Sequence, residues 1–241
     1  MKTRDKRIRW IVPALCGAGL IVLARWPVTT RIGVDYQEFT RSVPLYEKAI
    51  NFLSRDLQTR RFAAEVAQGA AKNDEQKLLK IFLWVTRNIH PTPSGFPVVD
   101  DHPLHILIRG YGAKDQRTEA FALLANYAGF PATLAKLNSP GATPLVDVAV
   151  VRCQKKTLLF DVVRRLYFTD ERGQLADIDE LANHPEWIAR VAHQVVVDGV
   201  PYERYLLNLR DLQATFSRME AQKPWPRMWQ EFRRLLGVHE I

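Results

Sequence analysis

The run from Arg109 to Pro131 has the residue types of a loop that presents a reactive side chain at the start of a helix. Gly110 and Gly112 allow backbone angles that a side chain would forbid, and an apolar stripe at helical spacing follows them. Gly129 stands where the end of a helix favours a positive φ, and Pro131 prevents the helix from resuming. The first turn of such a helix offers free N–H groups and the positive end of the helix dipole, a position where enzymes lower the pKa of a thiol. The pattern therefore predicts a loop–helix–strand junction of the kind that carries a thiolate.

The chain has two cysteines, and neither stands at that junction. Cys16 lies inside an apolar N-terminal segment, so an intramolecular disulfide with Cys153 is not expected. Cys153 ends an alternating run, Val148–Cys153, that predicts a strand, and no helix start or adjacent histidine is there to lower its pKa. We interpret Cys153 as an inert strand thiol.

The segment Asp100–His105 is the most metal-like cluster in the sequence. Asp101, His102 and His105 are ligand types for a divalent ion. Pro103 argues against a regular helix, so the two imidazoles need not share a face, and no second ligand pair is evident. The sequence therefore predicts neither a metal nor a cofactor, and we interpret Asp101 and His102 as candidates for the floor of a binding groove.

Residues 109–132 resemble the nucleophile segment of the transglutaminase-like (papain-like thiol) superfamily. The pattern of that family is Gly-Tyr-Gly-x-Cys-Asp-Gln, an apolar helix, and then Gly-[Ile/Phe]-Pro-Ala. The frame is kept here at Gly110–Gly112, at Asp115 and Gln116, and at Gly129–Ala132. At the position of the family's cysteine stands Lys114.

A second segment of the resemblance covers the other two members of the family's catalytic triad. Leu159–Val162 matches the strand end that carries the orienting acid, which puts Asp161 at that position. Counting back through the hairpin puts the histidine position at Val146, and its neighbours Leu145 and Asp147 supply no imidazole either. Thiol chemistry of this kind needs a thiol, an imidazole and an orienting group together. The resemblance covers about residues 74–185 and implies a degenerate member of the family.

The same resemblance suggests what remains of the cleft. Its candidate binding residues are Tyr111, Lys114, Asp115, Gln116 and Asp161, together with Asp101 and His102. We expect an ion pair between Lys114 and Asp161 to replace the triad. The alternatives are an active hydrolase or acyltransferase that uses Cys153 or an unrecognised site, and an assembly subunit that uses the aromatic C-terminal helices.

The remaining patterns predict an α+β fold in which one helix packs on an antiparallel sheet, with an N-terminal membrane or signal helix and extra helices at both ends. The resemblance implies that the packed helix and sheet form a transglutaminase-like core. Asn73 or Asp74 should cap a helix that precedes the motif. The predicted strands are Ala132–Leu137, Val146–Cys153, Thr157–Val162 and Arg165–Thr169. The predicted divisions are residues 1–30 (anchor or signal), 31–73 (helical lead-in), 74–200 (core) and 201–241 (C-terminal helices).

The N-terminus carries much of the chain's net charge of +8. Five basic residues and one acidic residue lie within residues 1–9, which leaves 29 basic against 25 acidic residues elsewhere. A nucleic-acid surface is therefore not expected. Fifteen uncharged residues follow, Trp10–Ala24, which predict either a membrane anchor or a cleaved signal peptide, with the globular part exported.

The localisation expected from these features is the bacterial inner membrane with a periplasmic domain, or a secreted form after cleavage of the signal. The membrane would then be one partner of the chain. The resemblance to bacterial members of the family implies a second, an envelope protein or a glycan, because relatives of this kind are associated with cell-envelope and polysaccharide machinery.

Overall fold

The computed structural model describes residues 15–69, 73–100, 102–138, 145–207, 209, 212 and 223–235. In chain order its elements are a helix over residues 15–24 (α1), β1 (Pro27–Val34), β2 (Gln37–Pro44), α2 (Leu45–Ala67), α3 (Asp74–Asn88), β3 (His90–Pro91), β4 (Val99–Asp100), α4 (Pro103–Arg109), β5 (Tyr111–Gly112), α5 (Lys114–Tyr127), β6 (Ala132–Leu137), β7 (Val146–Cys153), β8 (Lys156–Asp161), β9 (Leu166–Tyr167), α6 (Ile178–Asn183), α7 (Pro185–Ala192), β10 (Val196–Val197), β11 (Val200–Pro201), a 3₁₀ helix (Tyr202–Leu206) and α8 (Pro224–Leu235).

An antiparallel sheet in the order β6-β7-β8-β9 forms the centre of the fold. Successive strands are joined by short turns, and Ala149 pairs with Leu134 on one side and with Phe160 on the other. The side chains of β7 alternate between two apolar clusters. Ala149, Val151 and Cys153 belong to the cluster that includes α3 and α5, whereas Val146, Val148 and Val150 belong to the cluster that includes α6 and α7. The sheet is therefore covered on both faces, and α5 is almost wholly enclosed.

The predicted core strands and the α3 cap agree with the structure. Strands β6 and β7 have the predicted bounds, and β8 begins and ends one residue earlier than predicted. The Asn73 side chain accepts a hydrogen bond from the Glu75 N–H at 3.0 Å, which caps α3. The mixed helix-and-sheet class is confirmed.

The helical lead-in predicted from residue 31 is wrong for residues 31–44, which form most of a β-hairpin. Strands β1 and β2 pair along their whole lengths, from Pro27 with Pro44 to Val34 with Gln37. Asp35 and Tyr36 form the turn with φ of +49° and +66°, the left-handed pair that suits a two-residue hairpin. Nearly all of the side chains are exposed or half-buried, so the strands lack the one-sided apolar alternation that would have revealed them.

The predicted division at residue 201 also differs from the observed elements. Pro201 is in a strand, and the 3₁₀ helix that follows buries Tyr202 and Tyr205 in the α6/α7 cluster. An α-helix is present farther on, as α8. Ala63 and Val66 of α2 likewise belong to the α5 cluster, so buried residues extend beyond 74–200 at both ends.

The predicted membrane or signal helix falls partly on residues 1–14, which lie outside the described residues. The described part is the ten-residue helix α1, whose side chains are mostly exposed. Across the described ranges, none of the helices combines the length and the apolar character needed to cross a bilayer.

Candidate functional site

Arg109 holds the glycine loop that leads into α5. Its Nε donates to the Tyr111 carbonyl and its Nη2 donates to the Val99 carbonyl, each at 3.0 Å. The guanidinium also lies over the Tyr111 ring, 5.6 Å from its centroid. Gly110 has a φ of +72°, the left-handed conformation that favours glycine. The loop is thus fixed by bonds from the end of α4 to itself and to β4.

Gln116 completes this scaffold from inside α5. The Gln116 side chain is 4% exposed, and its Nε2 donates to the Val99 carbonyl at 2.7 Å. Its Oε1 accepts from the Ala113 N–H at 3.0 Å and from Arg109 at 3.2 Å. A Cβ at Gly112 would lie 3.2 Å from Gln116 Oε1, so a side chain there would crowd the amide. Both glycines and Gln116 therefore have structural roles in the motif.

The far end of α5 is joined to the sheet in the same way. Asn126 is buried, and its Nδ2 donates to the carbonyls of Ala122 and Ala132. Gly129 has a φ of +100°, which turns the chain into β6 as the sequence predicts. The helix is held at both ends by buried amides.

Lys114, which the sequence resemblance aligns with a nucleophile position, is the first residue of α5. Lys114 and Asp115 are both exposed, and Lys114 forms no ion pair with a described residue. The helix dipole disfavours a cation here, which is consistent with an ammonium group in solvent. Tyr111 is half-buried, and its ring meets Phe96 edge-on at 5.8 Å.

The predicted ion pair between Lys114 and Asp161 is wrong, because Arg164 is the partner of Asp161. The Asp161 side chain is wholly buried, and its two oxygens accept from the Arg164 backbone N–H and from Arg164 Nη1, each at 2.8 Å. The guanidinium in turn lies over the Tyr202 ring at 5.5 Å. Burial and the charge of Asp161 raise the pKa of Tyr202 well above its usual value. Asp161 therefore fixes the turn after β8, and Arg164 balances its charge.

The strand alternation assigns the triad positions on β7 and β8 to faces of the sheet. Phe160 belongs to the cluster that includes α5, whereas Leu159 belongs to the opposite cluster, and Asp161 alternates with Phe160. Val146 lies on that opposite face too, while Asp147 alternates onto the α5 side and pairs with Lys136 at 3.6 Å. Val146 therefore supplies no imidazole on the α5 side, and the carboxylate of Asp161 is bonded to Arg164.

Arg117 is a residue of the site that sequence reasoning missed. It is 5% exposed, its Nε lies buried without a hydrogen-bond partner, and its side chain makes no hydrogen bond to a described residue. Burial lowers the pKa of Arg117, the charge of Arg165 lowers it further, and the charge of Asp161 opposes this. Its position one residue after the motif gave no signal, since a charged residue beside an apolar stripe is usually solvated.

Cys153 is buried and lies at the end of β7 opposite to Val146. Burial raises the pKa of its thiol, and the charges of Asp74 and Glu75 raise it further. The interpretation of Cys153 as an inert strand thiol agrees with these surroundings.

His102 has a structural role at the start of α4. Its Nδ1 accepts a hydrogen bond from the Leu104 N–H at 3.1 Å and so caps the helix. Burial, followed by the charges of Arg55 and His105, lowers the pKa of His102 to about 4. The rings of His102 and His105 are 6.4 Å apart between centroids, and no cluster of three metal-ligand types occurs among the described residues. Asp101 lies outside the described residues.

His102 also borders a surface groove with a volume of about 820 Å³. It lies among the β1–β2 hairpin, α2, β4 and α4, and its lining is mostly polar. The charged and histidine side chains that line it are Arg31, Arg41, Arg55, His102 and His105 against Glu47, Asp100 and Glu119. Val99, which accepts from Gln116, lines it as well. The groove is thus coupled to the motif through one residue of β4.

Comparison with solved structures finds similar proteins, whereas comparison of the sequence finds none. No protein-family model and no curated protein matches the chain. A putative cysteine protease from Cytophaga hutchinsonii is similar with a TM-score of 0.38 and 16% identity, over 55% of this chain and 48% of that one. A TGase is similar with a TM-score of 0.38 and 11% identity, over 64% of this chain and 49% of that one. The chain therefore spans about half the length of each of these two proteins.

Proposed function

We propose that this chain is a transglutaminase-like pseudoenzyme that binds a ligand or partner instead of cleaving or transferring an acyl group. One observation carries the proposal: Lys114 stands in solvent where the family has its nucleophile. Two others support it, since Asp161 is neutralised by Arg164 and the thiol of Cys153 is buried in the sheet. A position that lacks a thiol and an imidazole, beside an acid already bonded to an arginine, suits a binding domain better than a catalyst.

The cellular setting of this proposal comes from the N-terminal sequence and from the resemblance. Five basic residues before an uncharged run favour an inner-membrane anchor with the folded domain in the periplasm, or a cleaved signal peptide. The resemblance favours an accessory role in the cell envelope with an envelope protein or a glycan as partner. The groove bordered by His102 is the surface on which such a partner would be sought, because it is wide, polar and lined by charges of both signs.

The reactivity of the two cysteines tests whether the chain is a pseudoenzyme. The full-length protein is treated with limiting iodoacetamide at about pH 6.5, and labelling is measured by peptide mass. Cys16 is exposed and serves as the internal control, while Cys153 is buried. We expect Cys153 to stay unlabelled until the protein is unfolded. Labelling of Cys153 faster than that of Cys16 in the folded protein would reveal an activated thiolate and contradict the proposal.

A second candidate function, assembly with a partner protein, is favoured by α8. This helix exposes three large apolar side chains to solvent: Trp225 (79%), Met228 (59%) and Trp229 (61%). Such exposure is unusual in a monomer and is typical of a protein–protein interface. Truncation is a poor test, since Leu209 is buried in the α6/α7 cluster and Lys223 donates to the Asn126 carbonyl at 3.0 Å. Trp225→Ser with Trp229→Ser leaves those contacts in place. Unchanged co-purification of partners with that double variant would end this alternative.

A further inference from the structure

Arg117 is the one feature of the α5 start that the scaffold leaves without an explanation. A guanidinium carries five N–H donors and no acceptor, and burying it without hydrogen bonds is expensive. The side chain is 5% exposed and bonds to none of the described residues. The nearby carboxylate that could pair with it, Asp161, is already held by two bonds from Arg164. A buried cation in this condition points to an anionic group that completes its surroundings.

The surroundings of Arg117 add to its positive potential. Arg165 carries a like charge, which lowers the pKa of Arg117. The Arg165 side chain is exposed and makes no ion pair with a described residue. Side chains on a helix lean toward its N-terminus, and Arg117 is the fourth residue of α5, so its side chain is placed to reach the first turn. The N–H groups of Lys114, Asp115 and Gln116 in that turn have no intrahelical acceptor and carry the positive end of the dipole.

We propose that Arg117, Arg165 and the first turn of α5 form a binding site for a doubly charged oxyanion, such as a phosphate group. The edge of a guanidinium formed by Nε and one Nη matches two oxygens of such a group. Two guanidinium groups that form no ion pair with a described residue, together with a helix N-terminus, favour a dianion over a single carboxylate. Arg165 has a φ of +61° in the short turn between β8 and β9, and its side chain is exposed to solvent.

This inference rests on the proposed function in one respect, because it needs the nucleophile position to bind and not to react. The labelling of Cys153 reports reactivity alone, so the two ideas fail separately. An activated Cys153 would remove the pseudoenzyme proposal and leave an anion site intact, whereas loss of anion binding would leave the pseudoenzyme proposal unchanged.

The test is calorimetric titration of the full-length protein with inorganic phosphate, with acetate in a parallel arm at the same ionic strength. We expect phosphate to bind at about 1 to 10 mM or below and to raise the melting temperature, while acetate does neither. Arg117→Met should weaken phosphate binding by about tenfold or more, and Arg165→Met by about threefold to tenfold. Arg172→Met changes an exposed arginine in another turn and should bind phosphate as the parent does.

Three results would overturn the site. One is the absence of phosphate binding to the parent protein. Another is equal binding by Arg117→Met and the parent, which would mean an adventitious ion only. The third is equal binding of acetate and phosphate, which would exclude selection for a dianion. If Arg117→Met does not fold, Arg117→Lys keeps the charge without the two-pronged edge, and it should still lose most of the phosphate affinity.

Discussion

Gln116 and Arg117 are neighbours on α5 and almost equally buried, at 4% and 5% exposure, yet only the side chain of Gln116 is hydrogen-bonded. The Gln116 amide reaches Val99, Ala113 and Arg109, and so fixes the loop ahead of the helix. The Arg117 guanidinium reaches none of the described residues. Buried polar groups in folded proteins are nearly always satisfied, and an exception calls for a specific cause. The contrast separates a side chain that maintains the fold from one to which we assign a ligand in our proposal.

Arg164 provides the strongest test of this comparison because, unlike Arg117, it has a buried ion-pair partner, Asp161. Arg164→Met would leave the wholly buried Asp161 unpaired, and we expect it to lower the free energy of unfolding by about 3 to 5 kcal/mol. Urea unfolding followed by circular dichroism measures this loss. The same change at the neighbouring Arg165, which is exposed, should cost no more than about 0.5 kcal/mol. Equal losses in the two variants would refute the assigned role of the Asp161–Arg164 pair.

Gln116→Leu keeps the side-chain volume and removes the amide from the scaffold. It would leave the Val99 carbonyl with fewer donors and the Ala113 N–H without its acceptor, and we expect a loss of about 2 to 4 kcal/mol in unfolding free energy. Gln58→Leu on the exposed surface of α2 is the matched control and should be near neutral. A neutral Gln116→Leu would show that the loop does not depend on this amide.

His102 makes the stability of the fold depend on pH, because its buried ring accepts the hydrogen bond from Leu104 only while it is neutral. Its pKa is about 4 in the folded protein against 6.5 for the free side chain, so on acidification the unfolded state takes up the proton first. Stability is therefore full above about pH 6.5 and falls as the pH drops toward 4. After a discount for its partial exposure, the loss is about 2 kcal/mol.

Asparagine at position 102 keeps a cap acceptor without a titrating group. The difference in unfolding free energy between the parent and His102→Asn should thus change by about 2 kcal/mol between pH 7 and pH 4. A constant difference over that range would mean that His102 titrates normally.

Arg117→Met gives the smallest expected change and the opposite sign. Replacing a buried cation that lacks hydrogen bonds with an apolar chain of similar length should raise the free energy of unfolding by about 1 to 2 kcal/mol in buffer without phosphate. Thermal and urea unfolding both report this. A loss of about 1 kcal/mol or more would show that Arg117 stabilises the fold by itself, and the contrast with Gln116 would fail.

The sequence predicted the core strands and the ends of α5 because their signals are local. Gly129 and Pro131 mark a helix end by backbone geometry alone, and β7 has four consecutive apolar residues, Val148–Val151, at its centre. The β1–β2 hairpin escaped because its strands are exposed on both sides, so hydrophobic periodicity carried no information about them. A turn with two left-handed residues and no glycine, Asp35-Tyr36, removed the usual hairpin signal as well.

The sequence predicted only those features of the site that depend on residues close together in the chain. The place of Lys114 at the first turn follows from the loop and the helix stripe. The partner of Asp161 does not, since the resemblance suggested Lys114, whereas the turn after β8 brings Arg164 closer. Which face of β8 Asp161 occupies depends on the strand register, and a shift of one residue reverses it. The unsatisfied state of Arg117 is a property of packing that no motif records.

The most direct measurement of the central claim is the NMR resonance of the Arg117 Nε–H group in the full-length protein, assigned by its absence in Arg117→Met. Without added anion, this buried group has no acceptor among the described residues, and its hydrogen-bond shift should be missing. Titration with inorganic phosphate should move it downfield with saturation, while acetate at equal ionic strength leaves it in place. A resonance that is already hydrogen-bonded in phosphate-free buffer, and that phosphate does not move, would show that Arg117 has a partner within the protein and would contradict the account.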